Sequence, residues 1–298
     1  MTSRILVSGV SGPIGAALLP QLHSRGDEIV RLVRGPVTGK GQICWNPTQQ
    51  IAPEDVSGFD AVIHLAGESI FGRWSAAKKS RIRSSRVMGT GNLARALADA
   101  KNKPRVFVCG SAIGYYGNRG DEALKEGSTR GKGFLADVCG EWESATKPAI
   151  AAGIRTAHIR TGIVLSADGG ALPKMLPPFR LGLGGRIGNG RQWMSWIDVH
   201  DLVSAIVHIL KTDLLQGPLN MVAPRPVTNA EFTKTLASVL RRPAILPLPA
   251  LVVKTVFGEM GEATLLASQR VEPARLVGTG YPFAFSDLRA SLEHLLRG

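Results

Sequence analysis

Apolar residues fall along this chain in two alternating rhythms. Short, nearly continuous apolar runs end in small residues. Between them, apolar residues recur every three or four positions. The runs are Arg4-Ile5-Leu6-Val7-Ser8, Glu28-Ile29-Val30-Arg31-Leu32-Val33, a short Ile43-Cys44-Trp45, Phe59 to Leu65, Arg105 to Ser111, Thr156 to Leu165 and Leu219-Asn220-Met221-Val222. Runs without a polar face are strands covered on both sides, as in a parallel sheet. The periodic stretches predict the covering helices: one from Ala16, one from a Ser75 cap to Ala100, one from Phe134 to Ile150 and one from Asp198 to Lys211. Alternation in this order predicts an α/β fold with a doubly wound parallel sheet. The rhythm breaks over 166–197, rich in glycine, proline and aromatics, which reads as a lid or pocket wall. We expect a first domain over 1–165, its sheet completed by about 198–224, and a smaller domain from 166–197 and 225–298. Thr228 or Asn229 is placed to cap a further helix.

The first strand runs into Gly9-Val10-Ser11-Gly12-Pro13-Ile14-Gly15, and the helix begins there. Strand, glycine turn and helix together present free backbone N–H groups at a helix N-terminus, which favours a phosphate. Gly9 would allow the sharp turn, Gly12 the approach of a pyrophosphate, and Gly15 close packing of helix on strand. The second strand ends at Arg34, with no acid there. An arginine accepts the 2′-phosphate of NADP, where an acid would bond the ribose of NAD, so NADP is the expected cofactor. The third long run ends in Leu65-Ala66-Gly67-Glu68, small residues at the sheet edge where a cofactor would lie, with Glu68 in reach of a ribose or substrate. His64, inside that run, reads as a core residue. The next run ends in Gly110-Ser111, followed by Tyr115 and Tyr116, and their hydroxyls make them catalytic candidates.

Composition narrows the classes. The 298 residues, 44% hydrophobic, suffice for a large core. Three cysteines without ligand spacing argue against a disulfide framework or metal site and fit a reducing, cytoplasmic setting. No apolar run is long enough to span a bilayer, so no membrane partner is expected. The formal net charge of +13 favours anionic partners. Its densest run, Lys78, Lys79, Arg81, Arg83 and Arg86, reads as the solvated face of a helix. Without an aromatic RNA motif or basic tail, nucleic acid is not the expected partner.

These residues together resemble the extended short-chain dehydrogenases/reductases. More narrowly, they resemble the atypical nucleoside-diphosphate-sugar epimerase-like family, the "epimerase family proteins". The likeness runs through Gly9 to Gly15, His64 to Glu68, Arg73-Trp74, Ser85-Arg86, Gly114-Tyr115-Tyr116-Gly117, Gly133-Phe134-Leu135-Ala136, Arg160 to Leu165, Gly190-Arg191-Gln192-Trp193 and Gly258-Glu259-Met260. It implies a Rossmann fold, NADP(H), a C-terminal substrate-side domain and a monomer or homodimer. It also adds Gly110, Arg160 and Gly162 to the cofactor side. Arg191, Gln192 and Trp193 could hold a phosphorylated or sugar substrate. The resemblance implies an oxidoreductase or epimerase acting on a small polar molecule such as a nucleotide sugar.

One departure stands out. The dehydrogenases use a Tyr and a Lys four apart on one helix face. Here Phe134 and Val138 hold those positions, and neither carries a proton. That opens an alternative: a non-catalytic NADP(H)-binding protein with a regulatory or redox-sensing role. Counting back from Tyr116-Gly117 puts Ala112, beside Ser111, at the helper-hydroxyl position. Asp121, Glu122 and Glu126 offer further acids or bases. The relatives' His-Asp-Asp order after Trp-Ile is replaced by Asp198-Val199-His200-Asp201.

Overall fold

The computed structural model describes residues 2–297. The chain opens with β1 (Arg4–Ser8), α1 (Pro13–Ser24), β2 (Glu28–Val33), β3 (Gln42–Cys44), β4 (Ala61–His64) and the long α2 (Ala76–Asp99). Ser75 caps α2, its hydroxyl accepting from the Lys78 amide at 3.2 Å. Next come β5 (Val106–Ala112), a short β6 (Ala123–Leu124), α3 (Phe134–Ser144), α4 (Lys147–Ala151) and β7 (Arg155–Thr161). The single helix expected over Phe134 to Ile150 is two, broken at Ala145–Thr146. Pro148 lacks the N–H that a continuous helix would use there.

The strand expected over Thr156 to Leu165 also divides, into β7 and β8 (Ile163–Leu165). Gly162 is the break. A Cβ there would meet the Val222 side chain at 2.7 Å, so only glycine lets the chain leave the main sheet at this point. Beyond it lie α5 (Leu172–Arg180), β9 (Trp193–Met194), β10 (Trp196–Asp198), α6 (Val199–Lys211) and β11 (Gly217–Met221). The stretch read as a lid therefore contains a helix, with Pro173 in its first turn. The chain ends with β12 (Val227–Thr228), α7 (Asn229–Leu240), α8 (Ala250–Phe257), α9 (Glu259–Thr264), β13 (Arg270–Val271), α10 (Ala274–Gly278) and α11 (Leu288–Arg297). Thr228, not Asn229, caps α7, in a reciprocal box with Glu231.

The main sheet has seven strands in the order β3-β2-β1-β4-β5-β7-β11, all parallel. The order reverses between β1 and β4, and in such sheets ligands bind outside the carboxyl ends at that point. Two apolar clusters sandwich the sheet. Ile5, Val7, Ile63 and Val108 face α1 and α6, while Leu6, Val62, Phe107 and Cys109 face α2 and α4. A third cluster gathers Leu172, Phe179, Trp196, Phe232, Leu236 and Leu292 from the later part of the chain. Trp196 is fully buried there.

Buried acids stitch the last segment to α6. Asp198 caps α6 and accepts from the Ser291 hydroxyl at 2.6 Å. Asp201 accepts the amides of Ala284 and Phe285, each at 2.8 Å. His200 lies between them in sequence but packs beside Phe285 and His294 on the outside. The rearranged Asp-Val-His-Asp stretch is thus part of the scaffold.

His64 is fully buried at the end of β4, with its Nδ1 2.6 Å from the Ser8 hydroxyl. Burial lowers its pKa to about 4. The unfolded chain takes up this proton near pH 6.5 and the folded protein does not. Stability therefore falls as pH drops from 6.5 towards 4, by about 3 kcal/mol from this group. We predict that His64→Asn flattens the denaturation free energy against pH over this window by that amount. An unchanged slope in the variant would refute the assignment.

Candidate active site

The glycine turn separates protein-packed positions from an open one. Gly9 has φ +77°, and a Cβ on it would lie 2.6 Å from the Leu65 carbonyl carbon. A Cβ on Gly15 would lie 2.6 Å from the Val10 Cα. Both glycines are required by the fold itself. A Cβ on Gly12 would meet only the Gly9 oxygen, at 3.4 Å, so its cradle is open on the outer side. Gly12 is also the N-cap of α1, has no side chain to cap it, and is followed by Pro13 at the first helical position. The Ile14 and Gly15 amides thus begin the helix without a side-chain acceptor. Ser11 is exposed on the same turn. These groups fit a pyrophosphate. Gly169, from the loop after β8, packs here too, where a Cβ would meet the Pro13 ring at 2.8 Å.

Arg34 stands exposed at the end of β2, with no hydrogen bond or ion pair among the described residues. Its charge is felt by Glu68 at the end of β4. Glu68 is the anchor of the α2 N-terminus: Lys78 lies 2.7 Å from its carboxylate, Ser85 takes its amide, and Arg86 donates to its carbonyl at 2.9 Å. The Lys78 hydrogen bond, above all, holds the Glu68 carboxyl below its ordinary value. A Cβ on Gly67 would press on the Arg86 guanidinium at 3.2 Å.

Ser111, Tyr116 and Arg160 converge on one buried network. Arg160, on β7, forms a two-point pair with Glu143 of α3, at 2.7 and 2.8 Å. Ser111, its neighbour across β5, donates to the same carboxylate at 2.7 Å. Arg160 also donates to the Tyr116 hydroxyl at 3.0 Å, and that hydroxyl lies 2.7 Å from the Asn220 carbonyl oxygen on β11. Burial alone would weaken the guanidinium's hold on its proton; Glu143 outweighs that and keeps Arg160 above the usual arginine range. Burial raises the Tyr116 pKa despite Arg160. Ser111 and Tyr116 are therefore engaged inside the protein. Tyr115 lays its ring 3.5 Å from the Arg160 guanidinium carbon, and its own hydroxyl has no partner among the described residues. Gly110 makes room for Trp142, whose ring would lie 2.9 Å from a Cβ there.

Phe134, the first residue of α3, meets Trp74 edge to face at 5.1 Å. Lys79 and Arg83 of α2 stand 4.7 and 6.0 Å from its ring centroid. Val138 is buried. The basic run is the solvated face expected only in part: Arg81 and Arg83 are exposed, but the run is also tied to other elements. Lys78 pairs with Glu68, Lys79 with Glu259 of α9 and Arg83 with Glu141 of α3, while Arg86 lies over the Trp142 ring. A helix cannot show this in its own sequence, because the acids come from three other places.

The later residues divide similarly. Gln192 is buried and donates to the carbonyls of Ile187 and Leu265. Trp193 is half-buried between Asp121, at 2.9 Å, and Arg270, and Arg191 is exposed. Glu126, offered above as a further acid or base, is buried and accepts the Asn220 and Arg275 amides. Gln269 donates to the Ile113 and Gly117 carbonyls, and Ser268 to that of Gly120, binding the tyrosine loop to the C-terminal segment. Glu143, Asn220 and Gln269 carry no motif. The one hint of the pair is a carboxylate late in a predicted helix facing an arginine inside a buried strand. Burial raises the Cys139 thiol to about 12, which leaves it a poor nucleophile. No cluster of His, Cys, Asp or Glu suited to a metal ion occurs among the described residues, and no described helix is long and apolar enough to cross a membrane.

The family model described as "NAD dependent epimerase/dehydratase family" matches residues 5–221, and "Domain of unknown function (DUF1731)" matches 248–295. The epimerase family protein MT2273 of Mycobacterium tuberculosis is 40% identical over 292 residues, spanning 97% of this chain and 96% of that protein. The Homo sapiens epimerase family protein SDR39U1 is 38% identical over 298 residues, 98% of this chain and 99% of that one. The crystal structure of human SDR39U1 (isoform 2) with NADPH superposes with a TM-score of 0.90 and 36% identity over 99% of both chains. The nucleoside-diphosphate sugar epimerase from Corynebacterium glutamicum superposes at 0.84 with 37% identity, covering 99% of this chain and 58% of that one.

Two substitutions in the glycine turn separate folding from ligand binding. Gly15→Ala forces backbone apart and is expected to destabilise the protein by about 2 kcal/mol or more in denaturant titration. Gly12→Ala should leave the unfolding midpoint within about 0.5 kcal/mol of the parent while weakening cofactor binding severalfold. Equal stability losses would remove the distinction. Glu143→Gln leaves the buried Arg160 without its counter-charge and is expected to cost about 3 kcal/mol, read as a lowered unfolding midpoint.

Proposed function

The chain belongs to the NAD dependent epimerase/dehydratase family, and from that premise we propose that it binds NADPH along the carboxyl edge of the sheet and acts as an NADPH-dependent oxidoreductase or epimerase on a small molecule. The open cradle at Gly12, between two glycines that the fold itself demands, carries this reading. The amides of Ile14 and Gly15, with Ser11 beside them, would take the pyrophosphate, and Arg34 the 2′-phosphate. Leu65, Ala66 and Gly67 line the edge alongside, whereas Gly110 is buried against Trp142. Arg160 and Gly162 act from beneath: Arg160 holds the tyrosine loop in place, and Gly162 turns the chain away from the sheet. When bound, NADPH supplies a hydride.

Tyr115 is the catalytic candidate whose hydroxyl is free to exchange a proton. Ser111 and Tyr116 position it through Glu143 and Arg160. Arg191 and Trp193 face the substrate side, with Gln192 bracing them. A nucleotide sugar is one substrate class in keeping with the name of the C. glutamicum relative. A second reading, a non-catalytic NADPH-binding regulator, is favoured by Phe134 and Val138, which remove the usual proton carrier.

Calorimetric titration tests the cofactor reading. NADPH is expected to bind more tightly than NADH, and Arg34→Ala to weaken NADPH by about 10- to 100-fold, as for loss of a charge-assisted hydrogen bond, with NADH unchanged. Failure of both cofactors to bind would overturn it.

A further inference from the structure

Reducing a sugar ketone requires a proton on the oxygen as the hydride arrives, which is the work of a general acid. Apart from the Tyr115 hydroxyl, this edge is poor in such groups. Phe134 and Val138 replace the proton pair, Ser111 donates to Glu143, and the Tyr116 hydroxyl lies between Arg160 and Asn220. What the edge has instead is aromatic surface and two cations fixed in place by carboxylates. Phe134 and Trp74 form a half-buried corner, with their rings 5.1 Å apart. Lys79 lies 4.7 Å and Arg83 6.0 Å from the Phe134 ring, each held by a carboxylate from another helix. On the same loop as Trp74, Phe71 is 51% exposed, with Lys174 3.5 Å from its ring. The approach thus repeats the chemistry of the corner.

We propose that the Phe134–Trp74 corner, flanked by Lys79 and Arg83, binds a planar, electron-poor hydride acceptor of the quinone class. This rests on the NADPH reading and specifies its substrate. Electron-rich rings stack on electron-poor ones. A quinone that accepts a hydride becomes a resonance-stabilised phenolate, so no protein acid need act in the same step. Positioned cations lower the energy of that developing anion. In balance, one hydride with its two electrons passes from the reduced nicotinamide to the quinone, one proton comes from water, and the products are hydroquinone and NADP+.

Duroquinone is a suitable probe, because its fully substituted ring does not add to the exposed Cys44 thiol. The protein is loaded with NADP+, which permits no turnover, and tryptophan fluorescence is followed as duroquinone is added. Saturable quenching is expected. Phe134→Leu and Lys79→Ala should each weaken it by about tenfold, with NADP+ affinity kept within about twofold. Lys79→Ala is the safer variant, since that side chain is one-third exposed (32%). NADP+ binding without saturable quenching, or quenching that both variants leave unchanged, overturns the quinone site and spares the cofactor reading. UDP-glucose binding where duroquinone does not bind assigns the corner to nucleotide sugars and likewise overturns it. Loss of NADP+ binding in the parent protein overturns both.

Discussion

The pair between Arg160 and Glu143 is the interaction on which the carboxyl edge of the sheet around β5 and β7 depends. A charge buried to 3% exposure inside a central strand would be untenable alone. Its carboxylate partner comes from α3, which fixes that helix against β5 and β7. The remaining donors on Arg160 reach the Tyr116 hydroxyl and the Glu126 carbonyl, and Tyr116 passes the connection on to Asn220 of β11. One guanidinium thus sets the relative positions of two strands, a helix and the loop that carries both tyrosines. A buried pair of this kind contributes little net stability against an apolar substitute. What it gives is a unique arrangement, because five N–H donors in one plane accept few alternatives.

Much of the frame was legible from residue pattern. Continuous apolar runs announce strands covered on both faces, and β2 begins and ends where its run does. The glycine turn was legible because three spaced glycines between a strand and a helix have few other uses. Less legible were the points where one pattern continues through a change of direction. Nothing in the apolar run over Thr156 to Leu165 says that Gly162 sends its second half to a different sheet. That is decided by the Val222 side chain and the Ser195 carbonyl, which arrive from far along the chain. The same blindness applies to charge. Lys79 and Arg83 look unpaired in α2, and Glu126 looks solvated in its loop, because the partners of each lie in elements that sequence proximity does not connect.

The site contrasts two ways of using polar groups. Around the glycine turn and the end of β2, groups stand open: the amides beginning α1, the exposed Ser11 and Arg34, which has no partner among the described residues. Beneath the sheet edge, polar groups are closed on one another, with Ser111, Tyr116, Glu143 and Arg160 satisfying each other. Phe134 and Trp74 form a separate aromatic corner, with Lys79 and Arg83 beside the Phe134 ring. Of Ser111, Tyr115 and Tyr116, Tyr115 alone has a hydroxyl without a partner among the described residues.

The lacing of the tyrosine loop has a consequence for how the protein is made. The Gly120 carbonyl receives its donor from Ser268, 148 residues later, and those of Ile113 and Gly117 from Gln269, 156 and 152 residues later. On the ribosome, the seven strands are complete once β11 has emerged, but the tyrosine loop still lacks these donors. The nascent chain therefore gains its sheet well before its working edge. The last-made stretch acts as a seal on a site whose other parts are already in place.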